Sequence, residues 1–313
     1  MTTLKSVAIA AGLASSAFGQ ATSPIVGYTT TSITSQFSDG SAADTLTAPT
    51  FVNKVEVSTT VASITGSVVE LSASLVADDF NTQPGFPTYY IRAEDGFWAN
   101  IVSNNATSVT LDAADAAQLT AGESIVIRRH VTLEDYFGDA SDNRASLNEG
   151  GFNAVGADTI SILDLDNNST LTFFRSNSGI ATYLDSLLAD SDDFPIQPDQ
   201  GIQILRVSGG ATSLVFAGAL EAERQISVNG GVSFLPVVFP TDTTLADLSS
   251  LADVLTQVTG FATVGADSVS ILSNGVTTTV FPNGNAALPG TWIDSTLGNA
   301  CLLYTSPSPR DRG

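Results

Sequence analysis

One stretch of the sequence occurs twice, and the two occurrences lie 109 residues apart. GFNAVGADTISILD at 151–164 matches GFATVGADSVSILS at 260–273, and TYLDS at 182–186 matches TWIDS at 291–295. Two separate matches at one offset indicate a duplicated unit, because each copy of a repeat forms the same local structure. The chain is therefore expected to contain the same supersecondary unit twice.

Each copy of this unit has the sequence pattern of short strands. Ile160 and Ile162 alternate with polar residues, and the second copy shows the same alternation, which predicts a half-buried strand. The first copy also contains TLEDYFG, in which Thr132 suits the cap of about one helical turn. We therefore expect two tandem β-rich repeats, at residues 131–220 and 221–300, with one or two short helices.

The segment that precedes the repeats also predicts strands joined by tight turns. Alternating stretches such as KVEVSTTVASITG are followed by turn residues, for example at Thr65-Gly66 and Asp95-Gly96. Glycine favours such turns because it tolerates a positive φ. The predicted fold class is all-β, with a small N-terminal β barrel or sandwich at residues 20–130 that is followed by the two repeats.

The N-terminus has the pattern of a secretory signal peptide. Lys5 precedes an apolar run, and the small residues Ala17 and Gly19 precede Gln20, as at a cleavage site. We therefore assign residues 1–19 to a signal peptide and expect a secreted or cell-surface protein. The apolar run is shorter than the ~20 residues that a membrane-spanning helix needs, so no transmembrane segment is expected.

The charge of the chain is strongly acidic. It has 11 Lys and Arg residues against 32 Asp and Glu residues, which gives a net charge of −21. Nucleic-acid binding relies on basic side chains that neutralise phosphates, so nucleic acid is excluded as a partner. Solubility in salt and binding of divalent cations are compatible with this charge.

The last thirteen residues, CLLYTSPSPRDRG, differ in composition from the rest and contain the only cysteine. Residues 301–311 resemble translated sequencing-adapter DNA. We therefore expect 301–313 to be a non-native, adapter-derived tail on a cysteine-free protein. The second copy breaks off after TWIDS, where the first copy continues through FPIQPDQGIQILRV, so the second repeat is expected to be truncated at its C-terminus.

Several longer blocks resemble a known family. YYIRAEDGFWANIVSNNATSVTLDAADAAQLTAGESIVIRRHVTLEDYFG, followed by FPIQPDQGIQILR and VVFPTDTTLADL, resembles an uncharacterised family of exported proteins from verrucomicrobial and planctomycete bacteria. The resemblance covers nearly the whole chain after the signal peptide, and the order of the blocks is its most specific part. It implies export, but it implies no catalytic residue, because that family has no established activity.

The first candidate Ca²⁺ site lies in DLDNNSTLTFFR. Asp164 and Asp166 occupy the first and third positions of a calcium-loop pattern. Ser169 and Arg175 stand where an EF-hand needs glycine and a bidentate glutamate. A hairpin turn without a metal ion is the alternative interpretation of this segment.

The second candidate is an acidic loop, LLADSDDFPIQPDQG. Clustered carboxylates repel one another unless a cation or water screens them, so the loop is either a Ca²⁺ site or simply solvated. Its carboxylates belong to Asp190, Asp192 and Asp193. Asp158 and Asp267 recur at one position of the repeat, which predicts a shared structural role such as an Asx turn or a cap.

Candidate ligand-binding residues lie near the end of the N-terminal segment. Arg128 and Arg129 precede the only histidine, His130, and this trio is interpreted as a surface ion-pair patch or as a site for an anionic sugar or carboxylate. His130 has no histidine or cysteine partner for a triad or a zinc site. Tyr90 and Trp98 flank a turn, so they form either a sugar-stacking platform or part of the core.

No set of residues has a recognisable catalytic pattern, so no catalytic residue is assigned. We expect a non-enzymatic protein of the cell surface or extracellular matrix that acts by binding or structure. Its partner would be an extracellular glycan or another surface protein, and no cofactor is assigned apart from Ca²⁺ at the aspartates named above. The alternative is a secreted hydrolase that cleaves polysaccharide with paired carboxylates, which the 32 acidic residues leave open.

Overall fold

The structure is a computed structural model, and the part of the chain that it describes is discontinuous. It describes residues 26–33, 42–47, 49, 52–82, 86–164, 169–198, 200–219, 252–253, 255–273, 276–287 and 291–296. The predicted signal peptide, Asp166 and the predicted adapter-derived tail lie outside these residues.

The described residues form mainly short antiparallel strands, so the all-β fold class is confirmed. The short helices are α1 (Ala113–Ala116) and α2 (Leu133–Phe137). The strands are β1 (Val26–Ile33), β2 (Ala43–Thr47), β3 (Val55–Thr65), β4 (Val68–Leu71), β5 (Tyr89–Ala93), β6 (Trp98–Asn100), β7 (Ser103–Asn104), β8 (Ser108–Thr110), β9 (Ser124–Arg129), β10 (Val131–Thr132), β11 (Thr159–Asp164), β12 (Ser169–Arg175), β13 (Tyr183–Asp185), β14 (Pro195–Ile196), β15 (Ile202–Arg206), β16 (Thr212–Ala219), β17 (Val269–Ser273), β18 (Val276–Pro282) and β19 (Trp292–Asp294).

Strands β3 to β9 form one sheet in the order β6-β5-β9-β3-β4-β8-β7. The register of the long strand β3 shifts between Val61 and Ser63, and its two halves pair with β9 and β4. Such an irregularity bends a strand, and both halves of the sheet contribute side chains to one apolar core. Strands β6 and β7 follow each other in the chain and pair with β5 and β8, respectively, so the two ends of the sheet are joined by the chain and not by a strand ladder. A barrel or a sandwich was predicted, and the described strands do not close into a barrel.

A second sheet has the order β13-β12-β11-β15-β2. Strand β2 joins it through β15, with Thr47 opposite Ile202, and β1 pairs with β16, with Ile33 opposite Thr212. In the described residues, both N-terminal strands therefore pair with strands that follow residue 200. Strands β1 and β2 thus pair with strands outside the segment 20–130, whose grouping as one domain stays a prediction.

Helix α2 lies against the core of the second sheet and is the predicted helical turn after Thr132. The Thr132 hydroxyl accepts a hydrogen bond from the Asp135 N–H (3.1 Å), and the Asp135 carboxylate accepts one from the Thr132 N–H (3.2 Å). This reciprocal pair is a capping box, which satisfies backbone donors at the start of a helix. The helix buries Leu133, Tyr136 and Phe137 in the core.

The third sheet consists of β17, β18 and β19. Its strand order matches that of β11, β12 and β13, since the middle strand in each case pairs with the strands before and after it. Pro282 lies opposite Trp292 in this sheet, as Arg175 lies opposite Tyr183 in the second sheet. A parallel bridge from the preceding loop also joins the end of the middle strand in both sheets.

Candidate functional site

Two loops with related sequences expose large apolar side chains. In the loop before β11, Phe152 is 64% exposed and Val155 is 83% exposed; in the loop before β17, Phe261 is 73% exposed and Val264 is 93% exposed. Isolated exposed apolar residues are common on protein surfaces. Here, however, a pair of them recurs at equivalent positions of two units, which indicates that their exposure is not a coincidence.

A buried carboxylate fixes the first of these loops. Asp158, which is fully buried, accepts hydrogen bonds from the backbone N–H groups of Asn148 and Val207, both at 2.9 Å, and from the Asn148 side-chain amide at 2.8 Å. In the second loop, Asp267 accepts a 2.8 Å bond from the Thr256 N–H. Both aspartates therefore bond the backbone of the preceding chain, in agreement with the structural role that their recurrence predicts.

Close backbone approach also shapes the first loop. A Cβ atom added at Gly150 would lie 2.3 Å from the carbonyl oxygen of Asn153 and 3.1 Å from the ring of Phe174. Gly156 has a φ of +78° and Gly265 in the second loop has a φ of +84°, a conformation that glycine adopts without steric cost. Gly156 and Gly265 therefore allow a tight turn in each loop, and Gly150 allows the close backbone approach in the first.

A surface pocket of about 280 Å³ lies beside Phe152. The buried ring of Phe174 and the half-buried Thr172 come from β12, and the turn after β13 contributes Ser186. None of the lining residues is charged. The full lining is Phe152, Asn153, Ala154, Thr172, Phe174, Ser186 and Leu188. The pocket thus combines aromatic and aliphatic surface with hydroxyl and amide groups.

The second unit carries four of these residue types at the equivalent positions. Strand register and turn position place Phe261, Thr279, Phe281 and Ser295 where the first unit has Phe152, Thr172, Phe174 and Ser186. Ala262 replaces Asn153. The residues that define the pocket chemistry therefore occur twice, although the neighbouring loop positions differ.

The predicted Ca²⁺ ligands of the acidic loop are already used within the protein. The Asp192 carboxylate accepts hydrogen bonds from the N–H groups of Thr182 (3.1 Å) and Tyr183 (2.6 Å). Asp190 accepts one from the Asp192 N–H (3.1 Å), and Asp193 lies 4.0 Å from the guanidinium of Arg129. Among the described residues, no group of three or more acidic, histidine or cysteine side chains is arranged to hold a metal ion.

The other predicted Ca²⁺ pair lies at the β11–β12 hairpin. Asp164 ends β11 and pairs with Ser169 at the first position of β12, as the hairpin interpretation of this segment expects. Asp166 falls outside the described residues.

A half-buried glutamate that the sequence did not single out lies beside the acidic loop. Glu134 in α2 accepts a 3.1 Å hydrogen bond from the Thr182 hydroxyl, and its N–H donates to the Asp192 carbonyl at 3.2 Å. Partial burial, followed by the charge of Asp192, raises the pKa of Glu134. Sequence alone could not find it, because α2 and the loop are distant in the chain.

The predicted ligand residues Tyr90 and Arg128 are buried on one face of the seven-stranded sheet, together with His130. The ring centroids of His130 and Tyr90 are 4.7 Å apart, and Trp98 packs edge-on against both rings. His130 Nε2 lies 2.8 Å from Asn100 Oδ1. Burial lowers the pKa of His130 to about 3, so the imidazole is neutral at physiological pH.

Arg129 forms surface ion pairs, with Asp135 at 3.4 Å and with Asp193. The guanidinium of Arg128 is buried and donates to the Asn53 carbonyl. The predicted surface patch is therefore wrong for Arg128 and His130, because the face of the sheet that carries them is covered.

The pocket beside Phe152 is not evident from the sequence. The signal was present, because the Phe and Val of GFxxVGAD recur in both copies, but apolar residues at such positions are ordinarily assigned to the core. Only their exposure distinguishes them from core residues.

Comparisons with known proteins give no relatives: no protein-family model, curated protein or solved structure matches the chain. In the described part of the chain, no helix combines the length and the apolar character needed to cross a membrane.

Proposed function

We propose that this chain is a secreted, non-enzymatic protein of the cell surface or extracellular matrix that acts by binding or structure. It is built from a duplicated β unit and belongs with the exported bacterial proteins that its sequence blocks resemble. The signal-peptide pattern of residues 1–19 and the acidic composition support export and solubility outside the cell.

One observation carries the binding role: the matched exposure of Phe152 and Phe261 in two equivalent loops. Exposed apolar surface beside polar groups is typical of interaction sites on soluble proteins. Gly156 and Asp158 hold the first loop in a fixed conformation, so a partner would meet preorganised surface and binding would require little ordering. Two such loops in one chain also favour a polymeric or multivalent partner.

The experiment tests both export of the protein and its binding to a partner. The full chain is expressed, its processed form is sought in the culture medium, and the purified protein is incubated with washed cell envelopes and insoluble polysaccharides. We expect secretion and a bound fraction that falls in the double variant Phe152→Ser/Phe261→Ser. Val102→Ser is the matched control, because Val102 is 51% exposed in the link between β6 and β7. Retention inside the cell, or binding that the double variant leaves unchanged, would contradict the proposal.

The alternative is a secreted polysaccharide hydrolase, and the environment of Glu134 favours it. A carboxyl group with a raised pKa beside an ionised carboxylate is the arrangement of an acid and a base in glycoside hydrolysis. Burial and Asp192 raise the pKa of Glu134, and the Asp192 carboxylate accepts hydrogen bonds from the N–H groups of Thr182 and Tyr183. Release of reducing ends from the same polysaccharides, abolished by Glu134→Gln, would establish this function instead.

A further inference from the structure

We propose that the pocket beside Phe152 binds one uncharged sugar residue of an extracellular polysaccharide, and that the equivalent surface around Phe261 binds a second. This inference rests on the proposed binding function, and it names the ligand class and the site.

The lining of the pocket has the two kinds of surface that a pyranose ring presents. Sugar rings carry apolar C–H faces and hydroxyl edges, and pockets that bind small molecules pair apolar surface with a few placed polar groups. The exposed ring of Phe152 supplies apolar surface, and the largely buried ring of Phe174 lines the pocket from β12. Thr172 and Ser186 also line the pocket, and their hydroxyl groups can both donate and accept hydrogen bonds.

The size of the pocket limits the ligand to a small unit. Its volume of about 280 Å³ is at the lower end of small-molecule sites, which span ~300–1,000 Å³. The pocket is open at the surface, so a single ring of a longer chain can enter while the neighbouring rings remain outside. This geometry fits an internal residue of a polymer.

The uncharged pocket lining and the acidic chain favour a neutral polymer over an anionic one. None of the lining residues is basic, and the chain as a whole carries a net charge of −21. An anionic uronic acid or a sulfated sugar would approach a like-charged surface without a cation to pair with, and like-charge contacts oppose association. Uncharged hexose or pentose polymers meet no such barrier.

The two loops can be compared to decide whether the phenylalanine at this position serves ligand binding or folding. Phe152 and Phe261 are identical and mostly exposed, whereas the next two positions change from Asn153 and Ala154 to Ala262 and Thr263. A mostly exposed ring contributes little to the core, so packing does not require phenylalanine at either position. Contact with a ligand gives the ring a role that both loops share.

Two sites in one chain predict that long oligosaccharides bind more tightly than short ones. When one site is occupied, the second binds the same polymer at a raised effective concentration, provided that the ligand spans both sites. The second site lacks an amide at the position of Asn153, so it has one polar group fewer. We therefore expect Phe152→Ala to weaken binding more than Phe261→Ala.

The test uses the full chain and defined probes. Calorimetric titration with cellohexaose, xylohexaose, mannohexaose and maltohexaose is compared with oligogalacturonate of the same length. We expect at least one neutral hexasaccharide to bind, no binding of oligogalacturonate, and a loss of about tenfold in Phe152→Ala. Val102→Ala is the matched control and keeps the wild-type affinity. Unchanged melting temperatures show that each variant is folded.

The remaining outcomes overturn the inference in distinguishable ways. If no neutral sugar binds, or if Phe152→Ala and Phe261→Ala bind like the wild type, the pocket is not a sugar site. Self-association in sedimentation velocity that disappears in Phe152→Ala assigns the surface to a second copy of the chain; it ends the sugar inference but leaves the structural role intact. Release of reducing ends during titration would end the proposed non-enzymatic function itself.

Discussion

The carboxylate of the fully buried Asp158 accepts a 2.9 Å hydrogen bond from the backbone N–H of Val207, 49 residues further along the chain. The same carboxylate accepts two bonds from Asn148, and Arg206 Nη1 lies 3.9 Å from it. One side chain thus joins the exposed loop before β11 to the end of β15. The loop that carries Phe152 is anchored to the sheet by this group.

Replacement of this carboxylate should therefore destabilise the protein strongly. Asp158→Ala leaves the N–H groups of the half-buried Asn148 and Val207 without acceptors and leaves the buried guanidinium of Arg206 without its ion-pair partner. Each such loss is costly, and we expect a decrease of about 3 kcal/mol or more in the free energy of unfolding. Chemical denaturation followed by far-ultraviolet circular dichroism measures this quantity.

Asp267 provides the matched control for that prediction. It holds the equivalent position in the second unit, but it is exposed and accepts one backbone bond, from Thr256. Asp267→Ala should therefore cost about 1 kcal/mol. Equal losses in the two variants would show that burial of Asp158 does not set its contribution.

The position of the Phe152 loop should depend on Gly150. A methyl group at this residue would lie 2.3 Å from the Asn153 carbonyl, a backbone atom that moves only if the loop moves. Gly150→Ala should lower the free energy of unfolding by about 1–3 kcal/mol, as overpacking does. It should also displace the loop, which the fluorescence of an environment-sensitive dye on Phe152→Cys would report.

Gly151→Ala is the adjacent control, since no atom lies within 4 Å of its added Cβ. A loop displacement of similar size in Gly151→Ala would contradict the argument.

Burial of His130 should make the stability of the protein depend on pH. Its pKa is lowered from 6.5 to about 3 because burial disfavours the charged ring. The unfolded chain therefore takes up a proton near pH 6.5 while the folded protein does not. The stabilisation is fully present above pH 6.5, declines as the pH falls, and is lost below about pH 3, a total of about 5 kcal/mol.

Comparison with a variant isolates this contribution from the titration of the many carboxylates. His130→Gln removes the ionisable ring and retains an amide that can hydrogen-bond to Asn100. We expect the difference in unfolding free energy between wild type and variant to change steadily between pH 6.5 and pH 4. A constant difference over that interval would mean that His130 titrates normally in the folded protein.

How well the sequence predicts each part of the fold depends on how far apart in sequence the interacting residues are. The strand around Ile160 and the helix cap at Thr132 depend on residues close in sequence, and the sequence predicts both. The pairing of β1 with β16 joins Ile33 to Thr212, and no local pattern specifies a partner so far away. The burial of His130 likewise depends on which face of the sheet is covered, and alternation alone does not distinguish the two faces.

The same reasoning applies to the candidate site. The recurrence of GFxxVGAD marked Asp158 as structural, because a carboxylate at one position of two repeats predicts a common hydrogen-bonding role. It did not mark Phe152 as exposed, because an apolar residue in a repeat is ordinarily buried. The pocket needs β12 and the turn after β13 beside the loop, and these come together only in the folded sheet.

Glu134 should reduce stability at neutral pH. Its pKa is raised by partial burial and by the neighbouring charges of Asp192, Asp139 and Asp193, so the folded protein favours the protonated form. The stabilisation that protonated Glu134 contributes is fully present below pH 4.5, the pKa of this group in the unfolded chain. It is lost as the pH rises through the higher pKa of Glu134 in the folded protein. At pH 7 the ionised group opposes folding.

Glu134→Gln should therefore stabilise the protein at pH 7. The variant removes the charge and retains an oxygen that accepts the hydrogen bond from Thr182. Because Glu134 is only half-buried, solvent screens its repulsion, and the gain in unfolding free energy stays below about 1 kcal/mol. Glu149→Gln is a control for which we expect the opposite effect on stability. Glu149 pairs at 2.9 Å with the buried Arg175, so loss of its charge should destabilise the protein. Denaturation at pH 7 and pH 4 tests both, and a stabilisation of Glu134→Gln that persisted undiminished at pH 4 would exclude charge repulsion as its cause.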